Sequence, residues 1–168
     1  VIKKHAYEIL NRSDVQALID NVKKKSEALV DDIFSDNLTI GEVQLILQNF
    51  LKERVSIKDL ESILETLSIH CRLSKNPDYL TEQCRISLAR SICKQNLSPD
   101  GELSAVTLSP EIEQVIIESI SDDGLNMNID PIFVQRVITS LSNVIENALN
   151  KLGMQPVVLC SGPIRLPF

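Results

Sequence analysis

Three residues of this chain have the types that bind metals or carry thiol chemistry within reach of one another. His70 and Cys71 are adjacent, and Cys84 follows on the next predicted helix. Antiparallel packing of those helices would bring the imidazole and both sulfurs together. A zinc site of that kind needs a fourth ligand in a structural centre, or an open water position in a catalytic one. No further Cys or His stands at a recognised ligand spacing. The competing reading is a histidine at a helix end beside a packed cysteine, since unpaired cysteines behave as small apolar side chains. A metal- or thiol-dependent enzyme using His70, Cys71 and Cys84 is therefore kept only as the alternative.

Two other stretches hold reactive types. CSGP at Cys160–Pro163 follows an apolar run, as nucleophile elbows do, but no glycine stands two places before Ser161. Ser161 reads instead as the cap of a helix with Pro163 in its first turn. Asp122, Asp123 and Gly124 resemble part of a cation loop, without the alternating oxygen ligands or the terminal glutamate that such loops need. No phosphate-binding loop or dinucleotide fingerprint is present. The residue types thus imply no catalytic group, metal or cofactor, and the expectation is a protein that is not an enzyme.

The elements around these residues are helical in the first part. A helix end spans 1–10. Ser13 is the expected cap of a helix burying Val15, Leu18, Ile19 and Val22, with Asp14 in its first turn and Lys23 to Lys25 at its end. A short helix carries Leu29, Val30, Ile33 and Phe34. Thr39 with Glu42 forms a capping box ahead of Val43, Leu47, Phe50 and Leu51. After a tight joint at Glu53–Ser56, Ser56 is the expected cap for Ile57, Leu60, Ile63, Leu64 and Leu67. Asn76-Pro77 then opens one helix running to about Gln95 and burying Leu80, Cys84, Leu88 and Ile92. Cys84 and Cys93 fall on opposite faces of it.

The pattern changes at NLSPDGEL, where Pro99, Asp100 and Gly101 are turn chemistry. LSAVTLS reads as a strand. Ser109-Pro110 opens a helix with Ile112, Val115, Ile116 and Ile120 inside. Asp130-Pro131 opens a long one burying Val134, Val137, Ile138, Leu141, Ile145, Ala148 and Leu152, stopped by Gly153. PVVLC reads as a strand covered on both faces. The fold class is mainly α, a helical subdomain followed by a small, incomplete α/β subdomain, with the boundary near 96–102.

Composition narrows the function classes. The chain has 168 residues, 43% hydrophobic and 24% charged, the balance of a globular protein. Its net charge of −6 and aromatic content of 4% disfavour phosphate-reading or base-stacking surfaces. A helix-turn-helix over residues 43–67 is disfavoured too, because Asp59, Glu61 and Glu65 line its second helix and would repel phosphates. No nucleic acid partner is expected. No apolar run approaches the roughly 20 residues that cross a bilayer. The start VIKKHAYEIL enters helical pattern without an initiator Met or signal sequence, and SGPIRLPF ends just after a strand, so a piece of a longer protein is expected. The four cysteines show no paired spacing and read as reduced thiols.

The joint KERVSIKD differs in kind from the other turns. Lys52, Glu53, Arg54, Lys58 and Asp59 put mixed charge on a corner held by two packed helices, which suits a subunit contact, although a solvated turn has the same composition.

GEVQLILQNFLKERVSIKDLESILETL, followed by KNPDYLTEQCRISLARSI, resembles the type III secretion and flagellar export-gate family (FlhA-like, FHIPEP). That family shows a leucine-rich helix, then V-P-I-R-D-L, a helix ending I-L-E-A-L, and a DP-LT start leading to R-A-L-R. HAYEILNRSDVQALID, TLSPEIEQVI and PVVLCSGPIR resemble further family segments in the right order. Two positions depart from it. Ser56 stands where proline is usual, and Lys58 where arginine is usual, which keeps the charge without the planar fork.

The resemblance implies that residues 1–97 correspond to the third cytoplasmic subdomain, with the end of the preceding segment at 1–12. Residues 98–168 would be part of the fourth. It implies a non-catalytic protein-binding platform that assembles into a ring of about nine copies of itself. That ring receives export chaperone-substrate complexes and components of the export ATPase complex. The parent protein would lie at the cytoplasmic face of the bacterial inner membrane, attached through a region not in this chain. The best-known chaperone cleft of the family lies upstream of Val1, so no chaperone-contact residue is carried over. Lys52, Glu53, Arg54, Lys58 and Asp59 are the candidate interface.

Overall fold

The computed structural model describes residues 5–35, 38–121, 127–153 and 155–168, with the side chain of Leu152 also outside the description. The acidic loop residues Asp122, Asp123 and Gly124 therefore lie outside the described residues. Two compact units are present, Val1–Gln95 and Asn96–Phe168.

The first unit is helical: α1 (Ala6–Ile9), α2 (Arg12–Lys23), α3 (Glu27–Phe34), α4 (Ile40–Lys52), α5 (Leu60–His70), α6 (Pro77–Ser87) and α7 (Ala89–Gln95). Their apolar stripes meet in one core. Val15 and Ile19 of α2, Val30 and Ile33 of α3, and Val43, Ile46, Leu47 and Phe50 of α4 pack with Ile63, Leu64 and Leu67 of α5 and Leu80 and Cys84 of α6. Ile46 belongs to this stripe, although the sequence reading passed over it.

Two caps differ from expectation. α2 is capped by Asn11, not Ser13: the Asn11 Oδ1 accepts from the N–H groups of Ser13 and Asp14 at 2.8 and 3.0 Å. Asp14 returns the bond, accepting from the Asn11 N–H at 3.1 Å. Because Asn11 starts the helix at Arg12, Ser13 already lies inside the first turn of α2. Likewise α5 is capped by Asp59, which accepts from the Ser62 N–H at 3.3 Å, and not by Ser56. Buried Val55 and half-buried Ile57 hold the preceding segment against the core, so helix starts only at Leu60 and the joint lengthens to Glu53–Asp59. The capping box at Thr39 and Glu42 forms as expected, with bonds of 2.7 and 3.3 Å.

The helix expected to run from Pro77 to Gln95 is broken at Leu88. That residue leaves helical geometry at φ −87 and ψ 3, and its side chain is driven into the core. Cys84 and Cys93 therefore lie on different helices, the first buried and the second exposed.

The second unit runs β1 (Ala105–Thr107), α8 (Pro110–Ser119), α9 (Pro131–Leu152), β2 (Val157–Leu159) and α10 (Gly162–Arg165). The strands pair in parallel, Ala105 opposite Val157 and Thr107 opposite Leu159, so the two helices form the crossover. Ser109 and Asp130 cap α8 and α9, accepting from the N–H groups of Ile112 and Ile132. Gly153, at φ 67, ends α9 in the left-handed region that glycine tolerates.

Burial here is sparse. Ile116, Val137 and Ile164 are buried, but Val115 and Ile138, expected inside, are 41% and 50% exposed. Leu159 is 47% exposed, so the second strand is not covered on both faces. A sheet of two described strands has too little area to cover the apolar stripe of a 22-residue helix. Ser161 occupies the cap position of α10, yet its hydroxyl makes no cap bond.

Candidate functional site

The corner begins as the C-terminus of α4. The N–H of Arg54 donates to the Leu51 carbonyl at 3.1 Å, and that of Val55 to the Phe50 carbonyl at 2.8 Å. This pair of bonds is a Schellman motif, with Glu53 as the C-cap and Arg54 in the left-handed position at φ 59. Val55, buried against the core, supplies the accompanying apolar contact.

Glycine is the usual occupant of that left-handed position, because a Cβ there crowds the carbonyl, at a cost of about 1–2 kcal/mol. Arg54 is the non-glycine residue held there among the described residues. The conformation is fixed from outside: Gln95, the last residue of α7, donates its side-chain amide to the Arg54 carbonyl at 2.6 Å. The guanidinium itself is exposed, with no ion pair among the described residues.

The five predicted site residues separate into two roles. Glu53 turns inward to pair with Arg85 of α6 at 2.7 Å, both side chains being partly buried. Asp59 is used as the α5 cap. Lys52 places its ammonium over the Tyr7 ring, 5.8 Å from the centroid, a cation–π contact that ties α1 to α4. Arg54 and Lys58 remain directed outward, five residues forming a rigid corner with two cations on its exposed edge.

The residues that brace this corner, Tyr7, Arg85 and Gln95, escaped the sequence reading. Each lies more than 30 residues away along the chain, and no local pattern marks them. The same bracing recurs at α1, where Gln44 and Gln48 both donate to the Leu10 carbonyl, at 2.9 and 3.1 Å.

The thiol and imidazole groups are occupied separately. Cys84 directs its thiol to the Ile63 carbonyl at 3.6 Å, and burial pushes its pKa up to about 12. Cys71 directs its thiol to the Ser68 carbonyl, and burial raises its pKa as well. Reactive thiols need the opposite shift, since the thiolate is the nucleophile and the metal ligand. His70 faces the Tyr79 hydroxyl at 3.3 Å. Among the described residues no group of three His, Cys, Asp or Glu side chains is placed to hold a metal ion. At the former elbow candidate, the Ser161 N–H donates to Glu113 at 2.8 Å while its buried hydroxyl oxygen has no partner among the described residues.

No helix among the described residues is long and apolar enough to cross a membrane. The whole chain, residues 1–168, matches the profile of the FHIPEP family. The flagellar biosynthesis protein FlhA of Borreliella burgdorferi is 40% identical over 163 residues, covering 96% of this chain and 23% of that relative. The chain thus spans less than a quarter of the length of that curated relative. Among solved structures, EPEC SctV-C, a nonamer by cryo-EM, matches with a TM-score of 0.80 at 29% identity, over 98% of this chain and 49% of that one. The Chlamydia pneumoniae CdsV and CdsO complex matches with a TM-score of 0.75 at 28% identity, over 98% of this chain and 47% of that one.

Proposed function

The chain belongs to the FHIPEP family, and from that membership we propose that it is a non-catalytic platform of a flagellar or type III protein export gate. It assembles with other copies of itself into a ring and docks export cargo for secretion. The observation that carries this reading is the likeness, over nearly the whole chain, to SctV-C, which forms a nonamer. The first unit corresponds to the third cytoplasmic subdomain of the export gate and the second to part of the fourth.

Export chaperone-substrate complexes and components of the export ATPase complex are the proposed partners. The likeness to CdsV, solved together with CdsO, supports contact with another component of the apparatus. The parent protein sits at the cytoplasmic face of the inner membrane, as its relationship to flagellar export proteins suggests. The ring contact uses the corner Lys52, Glu53, Arg54, Lys58 and Asp59. Glu53 and Asp59 shape it, Lys52 anchors it, and Arg54 and Lys58 meet the neighbour.

Charge reversal tests this. Arg54→Glu with Lys58→Glu, in the full-length parent protein, is expected to reduce ring formation and secretion while the helical circular dichroism signal stays intact. Unchanged assembly and secretion would remove the corner from the interface.

A further inference from the structure

The chain leaves the first unit through α7, whose last residue, Gln95, is also the last residue of that unit. This helix is lightly held. None of its seven residues is buried, and Ile92 is its one partly buried side chain, packed against the shared core. Behind it Leu88 has left helical geometry, yet its side chain is only 2% exposed. A residue anchored by burial at a break between two helices is a natural pivot, because the second helix can turn there without disturbing the first.

The far end of α7 is tied to the corner. The Gln95 side-chain amide donates to the Arg54 carbonyl at 2.6 Å, across 41 residues of sequence. That carbonyl belongs to the residue held at φ 59, where a Cβ is crowded. Return to the right-handed region would reverse the signs of φ and ψ together, which swings the carbonyl away from the amide. The bond and the left-handed conformation therefore support each other.

We propose that α7 is a detachable strap, hinged at Leu88 and clasped by Gln95, which links the conformation of the corner to the point where the chain passes into the second unit. Clasped, the strap holds Arg54 in the left-handed region. Released, it lets Arg54 relax and adds the length of α7 to the link between the units. The clasp is one exposed hydrogen bond, weak enough to open and close within the folded protein. It stands whether or not the corner meets a neighbouring copy.

The test is amide hydrogen exchange of the full-length parent protein, read by mass spectrometry. Gln95→Met keeps the length and helix preference of the side chain and removes the donor. It is expected to speed exchange about fivefold over residues 91–95. The same acceleration is expected at Val55, whose N–H closes the corner on the Phe50 carbonyl. Leu80 to Cys84 of α6 should keep their rate. When Arg54→Gly is also present, the left-handed conformation needs no clasp, so Gln95→Met still frees residues 91–95 but no longer affects Val55. Unchanged exchange over 91–95 overturns the clasp. Faster exchange there with Val55 unaffected, or Val55 affected equally when Arg54→Gly is present, overturns the link to the corner. Acceleration that spreads into α6 overturns the strap, because α7 would then open only with the core.

Discussion

The two units solve the problem of burying an amphipathic helix in opposite ways. In the first, every long helix lays its stripe against at least one other, and Ile46, Leu47, Phe50, Ile63 and Leu64 have no exposed surface. In the second, the most strongly amphipathic long helix, α9, leaves Ile132 68% exposed and Ile138 half exposed. The first unit is electrically balanced, and the second holds the net negative charge. A neutral helical unit carrying a cationic corner, followed along the chain by an acidic unit with apolar side chains left open, is a division suited to making contacts with other proteins.

The contrast is most sharply broken by core truncation. Leu64→Ala should destabilise the first unit by about 3–5 kcal/mol, whereas Ile138→Ala, with half its surface already in water, should cost under about 1 kcal/mol. Urea unfolding followed by circular dichroism measures both. Equal losses would mean that the second unit is as tightly packed as the first.

The next largest effect depends on pH. In the folded state burial holds the Cys84 thiol protonated up to about pH 12, whereas in the unfolded chain it ionises near the ordinary thiol value. Above that ordinary value the unfolded state has lost the proton and the folded state has kept it. Stability that is fully present below about pH 9 therefore falls on the way to about pH 12, by up to about 1.4 kcal/mol per unit. Comparison of the unmodified chain with Cys84→Ala over pH 8 to 10 should show a shallower slope in the variant. Identical slopes would show that Cys84 is not sealed. Thiol labelling at pH 8 sharpens the same point, with exposed Cys93 modified in the native protein and Cys84 only after unfolding.

Smaller still are the supports of the corner. Asp59→Ala removes the α5 cap and should cost about 1 kcal/mol. Glu53→Gln removes the negative charge facing Arg85 and should cost about 1 kcal/mol, moderated because both side chains reach solvent. Thermal unfolding of the two variants checks these values, and a neutral result at both would mean that the corner is not braced by them.

What the sequence revealed follows the range of each interaction. Thr39, Asn76, Ser109 and Asp130 cap the helices they were expected to cap, because a cap is decided within four residues. Where two cap residues stand close together, as Asn11 with Ser13 and Ser56 with Asp59, the choice depends on what the neighbouring segment buries, and the local reading chose wrongly. The break at Leu88 has no glycine or proline to announce it. Exposure of Val115, Ile138 and Leu159 was equally hidden, since an apolar stripe states that it can be covered and not how much cover the fold supplies. For the candidate site, the corner's own charges were legible. Its anchors Tyr7, Arg85 and Gln95 were not, because they arrive from distant parts of the chain.

The central proposal is that the helical unit joins copies of the parent protein through a charged surface. Sedimentation velocity of the purified full-length parent protein over a wide concentration range, at low and at high salt, addresses it most directly. The account predicts association that grows with concentration and weakens as salt screens the corner. A single monomeric species at every concentration and at both salts would contradict it.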